Sequence, residues 1–279
     1  MQVDFLSDLH IDFYFDRNYK INDEKIKNLF HPIITKNNRN IGEVLIIAGD
    51  LGHYNHQNIQ VLKYLKKHYY KHIICVLGNH DYYLLDKDSK MQFKDSFHRV
   101  EQMRLRINKE ENMYCLNGDF ALIEGVVFGG CDSWYNDGYF IRQHPTKTFT
   151  KKSTNIQWHN TMNDASYIYG IKFFDDIFEI EKPKIEFTHY QCDVMITHIN
   201  PSCKDEHFNI NYQNNPSNVF FSFEGEKYLK NTYAKYWIFG HTHEELEYEE
   251  HGVKCLCNPL GYPGESGRGQ WVEMKSFEV

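Results

Sequence analysis

Short runs of β-branched and other apolar residues recur along the chain, and each run ends abruptly in polar or glycine-containing residues. The five clearest runs span residues 3–6, 44–48, 73–77, 194–197 and 236–239. A short, continuous apolar run is typical of a strand that is covered on both faces, so these runs predict buried strands of a layered α/β fold. In such folds, functional groups gather at the carboxyl ends of strands, where all five runs place their polar residues.

The segments between these runs predict helices. Residues 58–70 carry Ile59, Leu62 and Leu65 at helical spacing, and residues 90–107 form a second helical pattern. Core packing is the preferred interpretation of the apolar stripe in this second pattern, which comprises Phe93, Phe97, Val100, Met103 and Leu105. Residues 125–130 predict a further strand.

Residues 135–190 are aromatic, polar and only weakly periodic, which predicts an insertion or cap built on the core. A length of 279 residues is compatible with one large domain or with two small ones. The sequence contains no proline-rich linker, internal repeat or low-complexity tract. We therefore expect one elaborated domain over residues 1–279.

The charge and the cysteines narrow the class of protein. A net charge of −7 argues against a broad basic surface for nucleic acid, although it allows a local basic groove. Because the sequence shows neither a membrane-length apolar run nor a signal-peptide pattern, we expect no membrane partner and a cytoplasmic location. Seven cysteines, an odd number without a framework, indicate free thiols in a reducing compartment. The gap in Cys255-x-Cys257 is too short for a zinc knuckle.

The polar blocks after the predicted strands contain the residue types that bind metals. These blocks are Asp8-Leu9-His10, Gly49-Asp50, Gly78-Asn79-His80-Asp81, His198 and Gly240-His241-Thr242-His243. In an extended segment, Asp8 and His10 can project to the same side and meet one cation. Carboxylate, imidazole and amide ligands together favour Mn, Fe, Zn or Ni over Ca. Each block alone is weak evidence, but their combination indicates a metal site.

In this order the blocks resemble the calcineurin-like metallophosphoesterase superfamily, whose pattern is DxH, GD, GNH(D/E), H and GHxH. They extend over residues 8–243, and residues 162–164 and 258–265 are also similar to segments of bacterial members. The resemblance implies a four-layered α/β/β/α sandwich, in which two mixed sheets are flanked by helices and the metals lie at one edge. It also implies a metal-dependent phosphoesterase with two divalent metal ions.

The resemblance assigns a role to each residue of the blocks. One metal would be held by Asp8, His10, Asp50 and His243, and the second by Asp50, Asn79, His198 and His241. Asp50 would bridge the two ions, and a hydroxide shared by them would attack phosphorus in line. His80 is the expected general acid for the leaving oxygen, or a donor to the phosphoryl group. A purely supporting hydrogen bond is the alternative role for His80.

Three positions depart from related patterns. Protein Ser/Thr phosphatases usually show GDxVDRG, and His53 stands here in place of the acidic residue that orients their catalytic histidine. Ile199 occupies the place of a second histidine in many bacterial relatives, and Leu260 replaces a residue that is often arginine. The GNHD form looks more like the branch that contains class III cyclic nucleotide phosphodiesterases. These differences disfavour a protein phosphatase and leave the substrate open.

The favoured activity is hydrolysis of a phosphodiester or phosphomonoester in a small phosphorylated or nucleotide-like molecule. Several residues near the blocks are candidates for substrate contacts, although packing is favoured for each: Tyr82, Tyr83, Asp132, Trp134, Tyr135 and Asn200. One alternative is a nuclease of the same superfamily, which the net charge disfavours. Another is a binding or scaffold protein without catalysis, for which broken ligand blocks are expected. The sequence carries no signal for an oligomeric state.

Overall fold

A computed structural model describes residues 1–15, 21–146, 150–265 and 272–279. Its strands are β1 (Gln2–Leu6), β2 (Val44–Ala48), β3 (His72–Val76), β4 (Met113–Cys115), β5 (Asp119–Ile123), β6 (Val126–Gly130), β7 (Val194–Ile196), β8 (Tyr236–Phe239), β9 (Leu246–Glu250), β10 (Val253–Cys257) and β11 (Lys275–Glu278). Its helices are α1 (Ile11–Tyr14), α2 (Asp23–Thr35), α3 (Asn55–His68), α4 (Asn79–Tyr82), α5 (Lys87–Gln92), α6 (Ser96–Asn108), α7 (Gly138–Gln143), α8 (Lys151–Thr161), α9 (Asp164–Tyr167), α10 (Asp176–Thr188) and α11 (Glu226–Asn231).

The strands form two mixed sheets. The order in the first sheet is β11-β1-β2-β3-β4, in which β1 to β4 are parallel and β11 pairs antiparallel at the edge. The order in the second sheet is β5-β6-β7-β8-β10-β9, in which only the edge strands β5 and β9 pair antiparallel. The predicted α/β sandwich of two mixed sheets flanked by helices is therefore confirmed.

Strand β2 shows why the apolar runs are continuous. Val44 and Ile46 pack in an apolar cluster made by strands of both sheets. Leu45 and Ile47 point to the opposite face and join a larger cluster with residues of α2, α3 and α6. Each such side chain contributes about 1.5–3 kcal/mol when it is fully buried. Both faces of the strand are thus covered, so no polar residue alternates with the apolar ones.

The helical pattern over residues 90–107 is divided between two helices, α5 and α6. The carboxylate of Asp95 accepts a hydrogen bond from the backbone N–H of His98, which caps the start of α6. Phe93 is extended at the end of α5, so one continuous helix is wrong here. Leu105, expected in the apolar stripe, is 49% exposed, and Ile107 is buried instead.

Residues 135–190 contain α7 to α10, and residues 147–149 lie outside the described part of the chain. The last of these helices, α10, contacts β5 and β6 of the second sheet. A single domain with an insertion at residues 135–190 stays a prediction. Within the described ranges, no helix has both the length and the apolar character needed to cross a membrane.

Candidate metal centre

The residues predicted to bind metal come together at the carboxyl ends of β1, β2, β3, β7 and β8, and we call these seven residues the ligand cluster. They are Asp8, His10, Asp50, Asn79, His198, His241 and His243. Five of them have a positive φ: Asp8 (51°), His10 (42°), Asp50 (54°), His241 (70°) and His243 (52°). Non-glycine residues adopt this left-handed region rarely, and such backbone strain is concentrated at functional sites. The backbone of the ligand cluster thus has the character of a functional site.

Gly49 and Gly78 let the backbone approach the ligand side chains. A Cβ atom at Gly78 would lie 2.2 Å from Oδ1 of Asp50 and 2.6 Å from Nε2 of His198. A Cβ atom at Gly49, where φ is 88°, would lie 2.3 Å from Nδ1 of His198. The glycines of these two blocks are therefore required by close contact with the ligands.

Asp8, His10, Asp50 and His243 form one group, whose candidate ligand atoms all lie within 4.8 Å of one another. The Nε2 atoms of His10 and His243 are 2.8 Å apart. Nδ1 of His243 donates to the carboxylate of Glu265 at 2.8 Å, so Nε2 of this ring presents its lone pair to the group. Oδ2 of Asp50 is buried and has no hydrogen-bond partner among the described residues.

Asp50, His198 and His241 form a second group, whose candidate ligand atoms also lie within 4.8 Å of one another. Nδ1 of His198 donates to the backbone carbonyl of Ala48 at 2.8 Å, and Nε2 of His241 donates to that of Phe220 at 2.9 Å. Because each ring gives its proton to a carbonyl, its other nitrogen presents a lone pair to the group. The backbone partners therefore orient the two histidines so that both rings could bind one cation.

Asn79 joins the second group through its side-chain oxygen. Oδ1 of Asn79 lies 3.1 Å from Nε2 of His198 and 3.1 Å from Nδ1 of His241. The amide nitrogen points away, since it donates to Asp164 at 2.8 Å and to the Tyr83 hydroxyl at 3.0 Å. Lone pairs thus face lone pairs among these side chains, and a cation between them would remove the repulsion.

Burial sets the protonation of the ligand cluster. Burial lowers the pKa of His198 to about 4, and burial together with His198 lowers the pKa of His241 to about 4. Both rings are therefore neutral near pH 7, as ligation requires. Burial and the charge of Asp8 raise the pKa of Asp50 well above its ordinary value. Divalent cations would stabilise both carboxylates in their ionised form, so the residues present fit a dinuclear centre.

His80 lies beside the two groups without belonging to either. Its Nε2 is 3.2 Å from the hydroxyl of Tyr262, and its backbone N–H donates to Oδ1 of Asp50 at 2.9 Å. Its Nδ1 is 2.9 Å from Nε2 of His53, whose Nδ1 donates to the carboxylate of Asp12 at 2.7 Å. The acidic group that the sequence pattern lacks at position 53 is thus supplied from α1.

A cavity of about 470 Å³ opens beside the ligand cluster. We call the side of it formed by residues 208–221 the pocket wall, whose lining residues are Phe208, Asn209, Tyr212, Asn215, Ser217, Asn218 and Phe221. The wall offers aromatic rings, amides and a hydroxyl group. Among the described residues that line the whole cavity, none is a lysine or an arginine.

Most other residues that the sequence singled out are structural. Of the six candidate substrate contacts, Tyr83 alone is a described lining residue of this cavity, and the other five are buried in packing: Tyr82, Asp132, Trp134, Tyr135 and Asn200. Ile199 and Leu260 are fully buried. Among the described residues, Cys255 and Cys257 are buried thiols outside any disulfide and outside every candidate metal group.

Four supporting residues were missed as site residues at the sequence level: Asp12, Asp164, Tyr262 and Glu265. Asp164 lies in the segment 162–164, and Tyr262 and Glu265 lie in the segment 258–265. The similarity of these two segments to bacterial members was the signal that could have identified all three residues. Asp12 has no such signal, because its contact with His53 depends on how two strand ends meet.

Comparisons with known proteins agree with this geometry. A family model described as calcineurin-like phosphoesterase matches residues 1–245. The uncharacterized protein L509 of Acanthamoeba polyphaga mimivirus is 25% identical over 234 residues, which is 79% of this chain and 79% of that protein. The crystal structure of the phosphopantetheinyl hydrolase PptH from Mycobacterium tuberculosis shares the fold, with a TM-score of 0.71 and 15% identity over 99% of this chain and 95% of that one. Since the family model covers most of the sequence, the chain belongs to the calcineurin-like phosphoesterase family and is a metal-dependent phosphoesterase.

Proposed function

We propose that the protein hydrolyses a phosphodiester or phosphomonoester of a small, nucleotide-like molecule with two divalent metal ions. The observation that carries this proposal is the convergence of lone pairs in two groups that share Asp50. One ion would be held by Asp8, His10, Asp50 and His243, and the other by Asp50, Asn79, His198 and His241. When bound, the ions supply Lewis-acid chemistry, since they activate water and neutralise charge on the phosphoryl oxygens. Mn, Fe, Zn and Ni all suit this ligand set, and Mn²⁺ is the ion for the first tests.

In this mechanism His80 donates the proton to the leaving oxygen. Its side chain lines the same cavity as Asp50 and Asn79, and its Nε2 lies 3.2 Å from the hydroxyl of Tyr262 at that cavity. Burial and the neighbouring His53 lower the pKa of His80 well below its ordinary value, so the ring is neutral before substrate binds. A bound phosphoryl group is negatively charged and would favour the protonated ring.

The pocket wall supports a small organic group beside the phosphorus. The rings of Tyr212 and Phe221 can stack on a planar base, and the amide nitrogen of Asn215 can donate to its polar edge. The described lining offers no lysine or arginine to pair with further phosphates or with a nucleic-acid backbone. A substrate with a single phosphoryl group therefore fits better than a polyphosphate or a nucleic acid.

The cysteines support the cytoplasm as the place of action. All seven are described as buried thiols outside any disulfide, which suits a reducing compartment.

Hydrolysis assays with purified protein test the proposal. The substrates are bis(4-nitrophenyl) phosphate, cyclic and linear mononucleotides, and a phosphopantetheinyl ester. The last is included because the mycobacterial protein that shares the fold is a phosphopantetheinyl hydrolase. We expect activity that depends on added Mn²⁺ or a similar ion and is lost after chelation. Activity that persists in metal-free protein would contradict the mechanism. Salt-sensitive cleavage of plasmid DNA would favour the nuclease, and failure to bind any transition metal would favour a binding protein without catalysis.

A further inference from the structure

His53 links two groups that are distant in sequence. Its Nδ1 is 2.7 Å from Oδ2 of Asp12, and its backbone N–H donates to Oδ1 of the same carboxylate at 3.0 Å. Its Nε2 is 2.9 Å from Nδ1 of His80. All three side chains are buried. A continuous hydrogen-bonded chain therefore runs from Asp12 through His53 to His80.

The direction of the hydrogen bonds in this chain follows from Asp12. The carboxylate of Asp12 faces two donors of one residue, because Oδ1 accepts from the backbone N–H of His53 and Oδ2 lies against Nδ1 of its ring. The ionised carboxylate only accepts, so the ring proton of His53 lies on Nδ1. Nε2 of His53 then has a lone pair that accepts from Nδ1–H of His80. This leaves Nε2 of His80 as the nitrogen that faces the cavity.

The rest of His80 is fixed independently of this chain. Its backbone N–H donates to Asp50 at 2.9 Å, and its backbone carbonyl accepts from the buried guanidinium of Arg99 at 2.9 Å. The ring of Tyr83 packs on the imidazole with centroids 4.5 Å apart. The main chain is thus held by other residues, whereas the ring nitrogens meet two side chains, His53 at Nδ1 and the hydroxyl of Tyr262 at Nε2.

We propose that Asp12 and His53 are positioning residues that orient the ring of His80 and hold a proton on its Nδ1, so that Nε2 is presented to the leaving oxygen. The inference rests on the proposed function. In the reaction, the oxygen of the attacking water forms a bond to phosphorus, and the bond between phosphorus and the leaving oxygen breaks. The proton on Nε2 of His80 moves to the leaving oxygen, while the proton on Nδ1 stays in its hydrogen bond to His53. Solvent supplies the proton on Nε2 when the negatively charged substrate binds, and solvent takes up the proton that the attacking water loses, so His80 ends the reaction neutral, as it began.

This role differs from a structural one in its dependence on the leaving group. A 4-nitrophenolate is stable enough to depart with little protonation, whereas a phenolate needs a proton more. Loss of the hydrogen bonds from Asp12 through His53 to His80 should therefore slow the hydrolysis of diphenyl phosphate much more than that of bis(4-nitrophenyl) phosphate. General acid catalysis contributes about 10²–10⁴-fold, so we expect a loss of about 10²-fold in kcat for diphenyl phosphate. A displaced metal site would slow both substrates equally.

Two variants at position 53 distinguish the loss of the histidine ring from the loss of the hydrogen-bond acceptor that faces His80. His53→Leu removes the acceptor that faces His80. In His53→Gln, the side-chain oxygen can still accept from Nδ1–H of His80. We expect His53→Leu to show the selective loss with diphenyl phosphate, and His53→Gln to recover most of it. The matched control is His56→Leu, the same change at an exposed position in α3, which should leave both rates unchanged.

The third variant, Asp12→Asn, changes which ring nitrogen of His53 carries the proton. The new amide must keep its oxygen toward the backbone N–H of His53, so its NH₂ group faces Nδ1 of that ring. The proton of His53 then moves to Nε2, and protonated His80 would place two N–H groups against each other. We expect the same selective loss as in His53→Leu, with the KM of both substrates nearly unchanged.

Metal content is measured for every variant by mass spectrometry. Selective loss with unchanged metal content supports the inference. Equal loss on both substrates, or no loss in Asp12→Asn, overturns it and leaves the proposed function standing. If His53→Leu does not fold, Asp12→Asn and His53→Gln decide the question by the same comparison. Wild-type protein that hydrolyses neither diester with any metal would instead count against the proposed function itself.

Discussion

The ligand cluster and the pocket wall line the same cavity but are built in opposite ways. The ligands follow strands directly, and the backbone of five of them is held in the left-handed region. The wall comes from residues 208–221, which contain only the short 3-10 turns Ile210–Tyr212 and Pro216–Phe220. The groups for chemistry are thus attached to the core, and the groups that face the organic part of a substrate are carried by a loop.

The contacts that hold each region follow the same division. The side chains that line the wall are held by hydrogen bonds such as Asn209 to Glu244 at 2.9 Å and Asn218 to the backbone of Tyr212 at 2.9 Å. The segment is anchored to the core at Phe220, which is fully buried and whose carbonyl accepts from His241. The ligands are held by backbone carbonyls and by buried carboxylates. A change in the cluster should therefore impair catalysis for every substrate, whereas a change in the wall should alter recognition of some of them.

Asp50→Asn should give the largest effect. Asp50 belongs to both groups of the ligand cluster and would help to hold both ions, so we expect kcat to fall about 10³-fold or more for every substrate. Steady-state kinetics and metal analysis check this result. Asp88→Asn, an exposed residue of α5, is the control and should behave as wild type. Retention of both ions and of activity in Asp50→Asn would remove the basis of the proposed centre.

Metal affinity should rise with pH. Burial and Asp8 raise the pKa of Asp50, so below that pKa the carboxyl holds a proton that a metal must displace. Each displaced proton weakens binding up to about tenfold per pH unit of acidification. His198 and His241, with a pKa of about 4, do not compete above pH 5, whereas His243 does, since Glu265 and Asp8 raise its pKa against the effect of burial. Calorimetric titration with Mn²⁺ between pH 5.5 and 7.5, in two buffers that differ in ionisation enthalpy, measures both affinity and released protons. Affinity that is flat or falls with rising pH would contradict this account.

Asp164→Ala tests the support of the ligand cluster. The carboxylate accepts hydrogen bonds from Asn79 and from the hydroxyls of Tyr83 and Tyr135. Without it, the amide of Asn79 loses the partner that keeps its oxygen toward the metals. We expect a loss of about 10- to 100-fold in affinity for one of the two ions, as for other supporting partners of ligands. Tyr135→Phe, which removes a donor on the other side of the carboxylate, is the control and should have a smaller effect.

The sequence indicated which residues of the ligand cluster lie together, because each of its parts is a local pattern, and metal binding by them stays a prediction. A buried strand and the polar residues after it lie within a few positions of each other, as at β1 with Asp8 and at β2 with Asp50. Parallel strands then bring these ends together without further information. The runs predicted a layered α/β fold, and the resemblance to a known family implied the two mixed sheets.

The supporting contacts could not be predicted in the same way. His53 was correctly seen as a departure, but its partner Asp12 is 41 residues away and follows a different strand. The break before α6 depended on one capping side chain, Asp95, within an otherwise helical pattern. The pocket wall has neither strand nor helical periodicity, so its residues could not be assigned to the site before the chain was folded.

Tyr212→Ala should have the smallest effect on the kinetics, and it is the sharpest test of the difference between the ligand cluster and the pocket wall. The side chain lines the cavity and is 48% exposed, so its loss should not disturb the core. Stacking of an aromatic ring on a base contributes about 1–3 kcal/mol, so we expect the KM for a mononucleotide substrate to rise about tenfold with kcat nearly unchanged. The kcat for bis(4-nitrophenyl) phosphate should stay unchanged, since the chemistry belongs to the ligand cluster. Tyr233→Ala, at a position 78% exposed and outside the residues that line the cavity, is the matched control. If Tyr212→Ala lowers kcat for both substrates and leaves KM unchanged, the wall takes part in catalysis and the division between the two regions fails.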